Sequence, residues 1–187
     1  MTATIKSIYI HPFEEAGAGL PENIAAFVGK ATGVKAAIGR NLPGPNDSLD
    51  NRRGQHRAQG FLDALSEERE GLLRTASGEV LLLGITRLDL FVPRMNFVFG
   101  VAERESGVAV VSMCRLDPEF YGAEPDRELL RARLLKESVH EIGHVLGINH
   151  CTDPDCIMYF SSTIGDTDAK GPGFCSRCKS RLEAHED

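Results

Sequence analysis

Hydrophobic and polar positions change their period several times along this chain, and each change marks an element. Apolar and polar residues alternate from Thr4 to Ile10, with Ile8 and Ile10 on one face, the pattern of a strand. Pro12 to Gly19 reads as a loop. Leu20, Ile24, Phe27 and Val28 then recur at helical spacing within Leu20 to Thr32, where Pro21 suits the start and Gly33 the stop. Val34 to Ile38 is a short strand candidate. A strand, helix, strand opening implies a crossover unit and a partly parallel sheet.

Arg40 to Gly54, rich in Pro, Gly, Asn and Asp, is a surface loop. From Gln55 to about Arg74 the spacing of Phe61, Leu62, Leu65, Leu72 and Leu73 favours a helix. Glu79 to Thr86 holds the unbroken apolar run Val80 to Leu83 of a buried strand. Asp89 to Asn96, with Pro93, is a loop into Phe97 to Val101, and Val108 to Leu116 is a further strand. A long helix is expected from Pro125, at its first position, to about Leu146, with Asp126 and Glu128 complementing the helix dipole. Leu135, Val139, Ile142 and Leu146 form one apolar stripe and Leu130, Leu134 and Val145 a second, so this helix packs against more than one layer. Ser176 to Glu186 reads as a short terminal helix.

The end of the long helix carries the candidate chemistry. His140 and His144 are four apart, one turn above the other on the same face, so both rings can reach one ion. Glu141 lies about 100° further round, where it can face a water on that ion without ligating it, as a general base must. His150 follows six residues after His144, and a continuing helix would carry it about 240° away. Gly147 supplies the turn that returns it, because glycine adopts the left-handed conformation at a helix end. A bare His-Glu-x-x-His also occurs in helices that bind nothing; Gly147 and His150 at the extended spacing make the zinc reading the stronger one. Three neutral imidazoles leave a fourth position on Zn²⁺ for water, whose pKa falls to about 7. Hydrolysis of a polarised carbonyl, a peptide bond foremost, is the reaction class that follows.

Composition narrows the setting. With 187 residues and 42% hydrophobic content the chain can bury one core, so residues 1–187 are expected to form a single domain. A net charge of −6 argues against nucleic-acid and membrane partners, and no apolar run could span a bilayer. The alternating N-terminus is unlike a signal peptide, which points to the cytoplasm. Four of the five cysteines fall in two short spacings, Cys151 and Cys156, then Cys175 and Cys178, suited to a tetrahedral four-thiolate zinc; iron is the chemical rival. Cys151 adjoins His150, so clamping the cysteines also fixes the third histidine. Cys114 reads as a buried small hydrophobe. Arg52 and Arg53 could meet an acidic substrate group, although solvated surface charge is the weightier reading; His56 is read as equally bland, and His185 as no ligand.

The run from His140 through Gly147, His150, Cys151, Cys156, Met158, Cys175 and Cys178 resembles the archaemetzincin family of metzincin zinc peptidases. That pattern passes from the extended histidine motif into Cys-x4-Cys-x-Met and then Cys-x2-Cys. One departure is visible: sixteen residues separate Met158 from Cys175, one fewer than in the family pattern. The difference falls in the polar, Gly-rich stretch Ser161 to Gly173. The resemblance implies a metzincin-like α/β fold, a mixed and mostly parallel twisted sheet packed by helices. It also implies a division into residues 1–147, ending in the active-site helix, and a small C-terminal part, 148–187, stabilised by zinc on the four cysteines. It further implies Met158 packed beneath the histidines without ligating, and Phe97 to Val101 as the edge strand bordering the cleft. Tyr159 sits one residue early for an oxyanion role and is left out of the site.

These observations converge on a zinc metallopeptidase acting on small peptides, with Glu141 as general base and an aminopeptidase mode suggested by the resemblance. Two zinc ions per chain are expected, catalytic on His140, His144 and His150 and structural on Cys151, Cys156, Cys175 and Cys178, in a cytoplasmic monomer whose partner is a peptide substrate. The rivals are a zinc-stabilised binding module with little turnover and a nucleic-acid-binding zinc ribbon built on the cysteines.

Overall fold

The opening crossover forms as the sequence predicts. In the computed structural model, which describes residues 5–14, 16 and 23–183, strand β1 (Ile5–Pro12) leads to helix α1 (Ile24–Thr32) and then to strand β2 (Ala36–Ile38), parallel to β1. Leu20 and Pro21, expected at the start of this helix, lie outside the described residues, as does His185. Gly33 ends α1 in the left-handed conformation, at φ 77°.

The chain continues through β3 (Leu49–Asp50), β4 (Gln55–Arg57), α2 (Ala58–Leu73), β5 (Glu79–Thr86) and β6 (Leu90–Phe91). It ends with β7 (Gly100–Glu103), β8 (Val108–Ser112), α3 (Arg127–Val145), α4 (Ile164–Ala169) and α5 (Ser176–Glu183). The main sheet has the order β2-β1-β5-β8-β7, parallel throughout except for β7, which runs antiparallel to β8 at one edge. A mixed, mostly parallel sheet is what the sequence implied. Strands β3, β4 and β6 form a second, small sheet.

Both faces of the main sheet are covered, which is why its central strands are almost wholly apolar. Along β5 the side chains alternate between two cores: Leu82 joins Phe61, Leu65 and Val110 under α2, while Leu81 and Leu83 join Ile10, Val139 and Ile142 under α1 and α3. Helix α3 therefore lies against the sheet through β7 and β8 and against α1, as its two apolar stripes require.

Several boundaries differ from expectation, four of them for a clear local reason. Helix α3 starts at Arg127, not Pro125, because the Asp126 carboxylate caps it by accepting from Leu129 N–H (2.9 Å). Strand β8 stops at Ser112, whose hydroxyl donates to Leu88 O (2.7 Å) and accepts from Cys114 N–H (3.2 Å), turning the chain into a short 3-10 stretch at Cys114–Leu116. Gln55–Arg57 pairs with β3 and β6 instead of beginning α2, so sheet pairing overrides the local helical pattern. The expected Phe97 to Val101 strand begins only at Gly100: Val98 bridges back to Leu90, and the segment changes partner before joining β8.

At Gly84 in the middle of β5 a Cβ would stand 2.7 Å from Phe13 Cε2 and 2.9 Å from Leu65 Cδ1, both fully buried. Gly84→Ala is expected to overpack this core and cost about 1–3 kcal/mol, read as a lower urea midpoint at unchanged m-value.

Candidate active site

Helix α3 is amphipathic only in its first half; from Glu137 to Gly143 every residue is buried, the charged ones included. Three histidines meet at its end. The Nε2 atoms of His140 and His144 are 3.2 Å apart, and the His150 ring lies 5.4 Å and 4.7 Å from theirs, centre to centre. One nitrogen from each ring falls within 4.8 Å of the others. Nitrogens about 2.0–2.1 Å from one tetrahedral ion stand about 3.3–3.4 Å apart, so this constellation fits a zinc-sized ion.

Backbone carbonyls set the orientation of the rings. His140 Nδ1 donates to Ile157 O and His144 Nδ1 to Ile148 O, both at 2.8 Å, which leaves each Nε2 lone pair directed at the common point. The second bond depends on how the helix ends. Gly147 is left-handed at φ 88°, its N–H donates to His144 O, and Ile148 N–H reaches back to Gly143 O (both 2.9 Å). This closure turns the chain, puts Ile148 O beside His144 and sends His150 back towards the helix. Burial is the first cause holding all three imidazoles below their ordinary pKa. Lys170 and His144 add to it at His140, His150 at His144, and Lys170 at His150. They are neutral at pH 7, as ligands must be.

Two glycines make room for what surrounds the rings. A Cβ on Gly143 would lie 2.5 Å from Met158 Sδ, so its absence lets the fully buried Met158 pack against the helix between the histidines. A Cβ on Gly100 would lie 2.6 Å from Glu141 Cγ and 2.8 Å from Oε1; the edge strand β7 is thus hollowed where the Glu141 carboxylate stands. Burial, and next the charge of Glu137 one turn earlier, push the Glu141 carboxyl up to about 8, with Lys170 opposing.

Glu137 and Lys170 are functional neighbours that the sequence reading missed. Both are buried, with Lys170 Nζ 2.9 Å from Glu137 Oε1 and 3.4 Å from His140 Nδ1, and the Thr167 hydroxyl donates to the same carboxylate oxygen (2.9 Å). Glu137 carried a signal, since it lies one turn before Glu141 on a face that must be buried and therefore needs a partner. Lys170 carried none in its loop. Helix α4, which Lys170 follows, is docked on α3 by a bidentate Arg133–Asp168 pair and by Lys136 Nζ on the carbonyls of Thr167 and Asp168.

Cys151, Cys156, Cys175 and Cys178 converge as the sequence implied, their sulfurs within 4.8 Å of one another. The Cys151 and Cys175 sulfurs are 3.8 Å apart, as expected of thiolates about 2.3 Å from a tetrahedral zinc. Burial raises the Cys156 and Cys178 thiols. Burial opposes ionisation at Cys151 too, but Asp153 N–H, the Arg177 guanidinium (3.1 Å) and the neighbouring thiols outweigh it and hold Cys151 at about 7. Cys114 stands apart, half-buried, its thiol also raised by burial.

A cleft of about 540 Å³ opens over the histidines, between α3 and residues 92–102, with Phe160 against His150 at 4.9 Å. Tyr159 does not line it. Arg53 is exposed as a surface charge would be, but it is engaged: it donates to Met95 O (3.0 Å) and Asn96 O (2.6 Å), lies 4.1 Å over Phe91 and does not line the cleft. Arg52 is exposed, and His56 Nδ1 pairs with the Ser48 hydroxyl (2.9 Å).

Fold and site together define a zinc-dependent metallopeptidase class. Residues 42–184 match the model of peptidase family M54. The chain is 42% identical over 165 residues to the archaemetzincin of Pyrococcus furiosus, covering 88% of this chain and 83% of that one. It superposes on a zinc-dependent peptidase of Methanocorpusculum labreanum with TM-score 0.86 at 30% identity, covering 94% and 99% of the two chains. For the archaemetzincin of Methanopyrus kandleri the TM-score is 0.78 at 32% identity, covering 96% and 94%. The chain belongs to the archaemetzincin family, peptidase family M54.

Lys170→Met would leave the Glu137 charge buried and alone. A loss of about 3–5 kcal/mol in urea unfolding is expected, largely recovered when Glu137→Gln is added.

Proposed function

We propose that this metallopeptidase cleaves small peptides, with His140, His144 and His150 holding a catalytic zinc and Glu141 acting as general base and then acid. The observation that carries the reading is the convergence of three imidazoles, each offering one ring nitrogen, beside a buried carboxylate for which the opposing strand has been cleared. Zinc bound there would polarise a substrate carbonyl and acidify water. Glu141 takes the proton from the attacking water and delivers it to the leaving amine nitrogen. Residues Gly100 to Ala102 of the edge strand line the cleft, so a substrate main chain can add to β7 by hydrogen bonds that do not depend on sequence.

Cys151, Cys156, Cys175 and Cys178 hold a second, structural zinc. Their spacing from one another supports it, and a closed set of four thiolates leaves no position for substrate. Residues 1–187 are read as one domain, since Cys151, Cys156, Met158 and Cys178 join the same core as Ile142 and Val139. An aminopeptidase mode rests on the family resemblance. A cytoplasmic monomer is part of the same proposal, and the net charge of −6 supports the absence of nucleic-acid or membrane partners in it; among the described residues no helix is long and apolar enough to cross a membrane. A binding module without turnover would have no use for the clearance at Gly100, which speaks against that rival.

Elemental analysis is expected to find two zinc ions per chain, with His144→Ala losing one and Cys175→Ser losing the other. Glu141→Gln should lower kcat by about 10²–10⁴ while both ions remain; undiminished turnover would remove Glu141 from the mechanism. Gly100→Ala should displace the same carboxylate, lowering kcat on the order of 10²-fold at full zinc content.

A further inference from the structure

One wall of the cleft carries a turn with an unusual occupant. Residues 92–95 are closed by a hydrogen bond from Met95 N–H to Val92 O (3.1 Å), with Pro93 second and Arg94 third. Arg94 has φ 72°, the one positive value at a non-glycine among the described residues. The third position of such a turn is where glycine or asparagine is usual, because a side chain there is strained. Strained residues concentrate at functional sites, and this one lines the cleft over the histidines.

The other cations of this region are engaged. Arg53 holds the carbonyls of Met95 and Asn96; Gln55 donates to Asn96 O (3.0 Å) and to Asp89 (2.9 Å). Asp89 takes Arg115 in a bidentate pair at 2.7 and 2.8 Å, and the Arg115 guanidinium lies 4.3 Å over Phe97. The turn is thus braced from behind, while Arg94 is exposed and has no hydrogen bond or ion pair among the described residues. Of the carboxylates lining the cleft, Glu137 is paired with Lys170 and Glu141 faces the histidines. An arginine without an ion pair therefore lines the cleft, in a chain whose net charge is −6.

We infer that Arg94 is a specificity-determining residue that pairs with a carboxylate of the bound peptide, either an acidic side chain or the free C-terminus. The inference rests on the peptidase reading above. The planar fork of donors suits a carboxylate, and the rigid loop fixes where that group must lie. At an exposed site the preference weakens as salt rises.

The test uses one fluorescent hexapeptide in three kinds of form: all neutral with an amidated end, the same with a single Glu for Gln at each position in turn, and the neutral form with a free carboxylate. Binding is measured by anisotropy on the zinc-loaded Glu141→Gln protein with and without Arg94→Gly, and kcat/KM on the chain with Glu141 intact. Glycine keeps the left-handed turn, and Arg94→Lys keeps the charge. A Glu form or the free-acid form should bind about tenfold to a hundredfold tighter than the neutral amide. That gap should close to within about twofold in Arg94→Gly and survive in part in Arg94→Lys. A gain confined to Glu forms identifies a side chain as the source; a gain in the free-acid form identifies the terminus. Equal binding of all forms, or a gap that persists in Arg94→Gly as for a carboxylate held by the metal, overturns the inference. A gap without any cleavage by the intact chain would instead overturn the peptidase reading and leave Arg94 as the anion contact.

Discussion

The hydrogen bond from His144 Nδ1 to the carbonyl of Ile148 is the contact on which the site depends. It spans four residues across the end of a helix, which is possible only because the backbone turns left-handed at Gly147. The same turn delivers His150, whose neighbour Cys151 belongs to the thiolate cluster. One backbone conformation thus sets a ring tautomer, the position of a third imidazole and the first sulfur of the cysteine cluster. Met158 closes the circle: its carbonyl accepts from Cys151 N–H (2.8 Å), while its sulfur packs on Gly143 and the preceding carbonyl, Ile157 O, orients His140.

Charge is handled differently on the two sides of the histidines. On one side, Lys170 pairs with Glu137 and the Thr167 hydroxyl donates to the same carboxylate oxygen, with Lys170 also 3.4 Å from His140 Nδ1. On the open side stands Glu141, buried yet without a cationic partner of its own, a carboxyl made more basic than usual by its surroundings. The contrast explains how two glutamates one helical turn apart serve different ends, one bracing structure and the other available for proton transfer.

Periodicity and turn chemistry foretold most of the scaffold, because strands such as β5 and the two-striped α3 are long and buried on both sides. The histidine and cysteine clusters were legible for a different reason: their residues lie within short stretches whose spacing has few other uses. What escaped the sequence was long-range. The pairing of β4 with β6, the change of partner between Val98 and Gly100 and the engagement of Arg53 with the 95–96 carbonyls all join segments far apart in the chain. Lys170 escaped because nothing local distinguishes a lysine that will be buried from one that will be solvated.

The segment between Met158 and Cys175 is fastened at several points: the Thr163 and Asp166 capping box, Asp168 on Arg133, Lys170 on Glu137, Gly171 against the Asp155 carbonyl and Gly173 O accepting from Ile157 N–H. Little of it can absorb a change of length without dislodging one of them. The fewest ties fall at Phe160 and Ser161, which with Ser162 form part of the cleft wall. A change of length here would therefore fall on the cleft wall first and leave the histidine and cysteine clusters where they are, so this short stretch couples the shape of the cleft to the length of the chain.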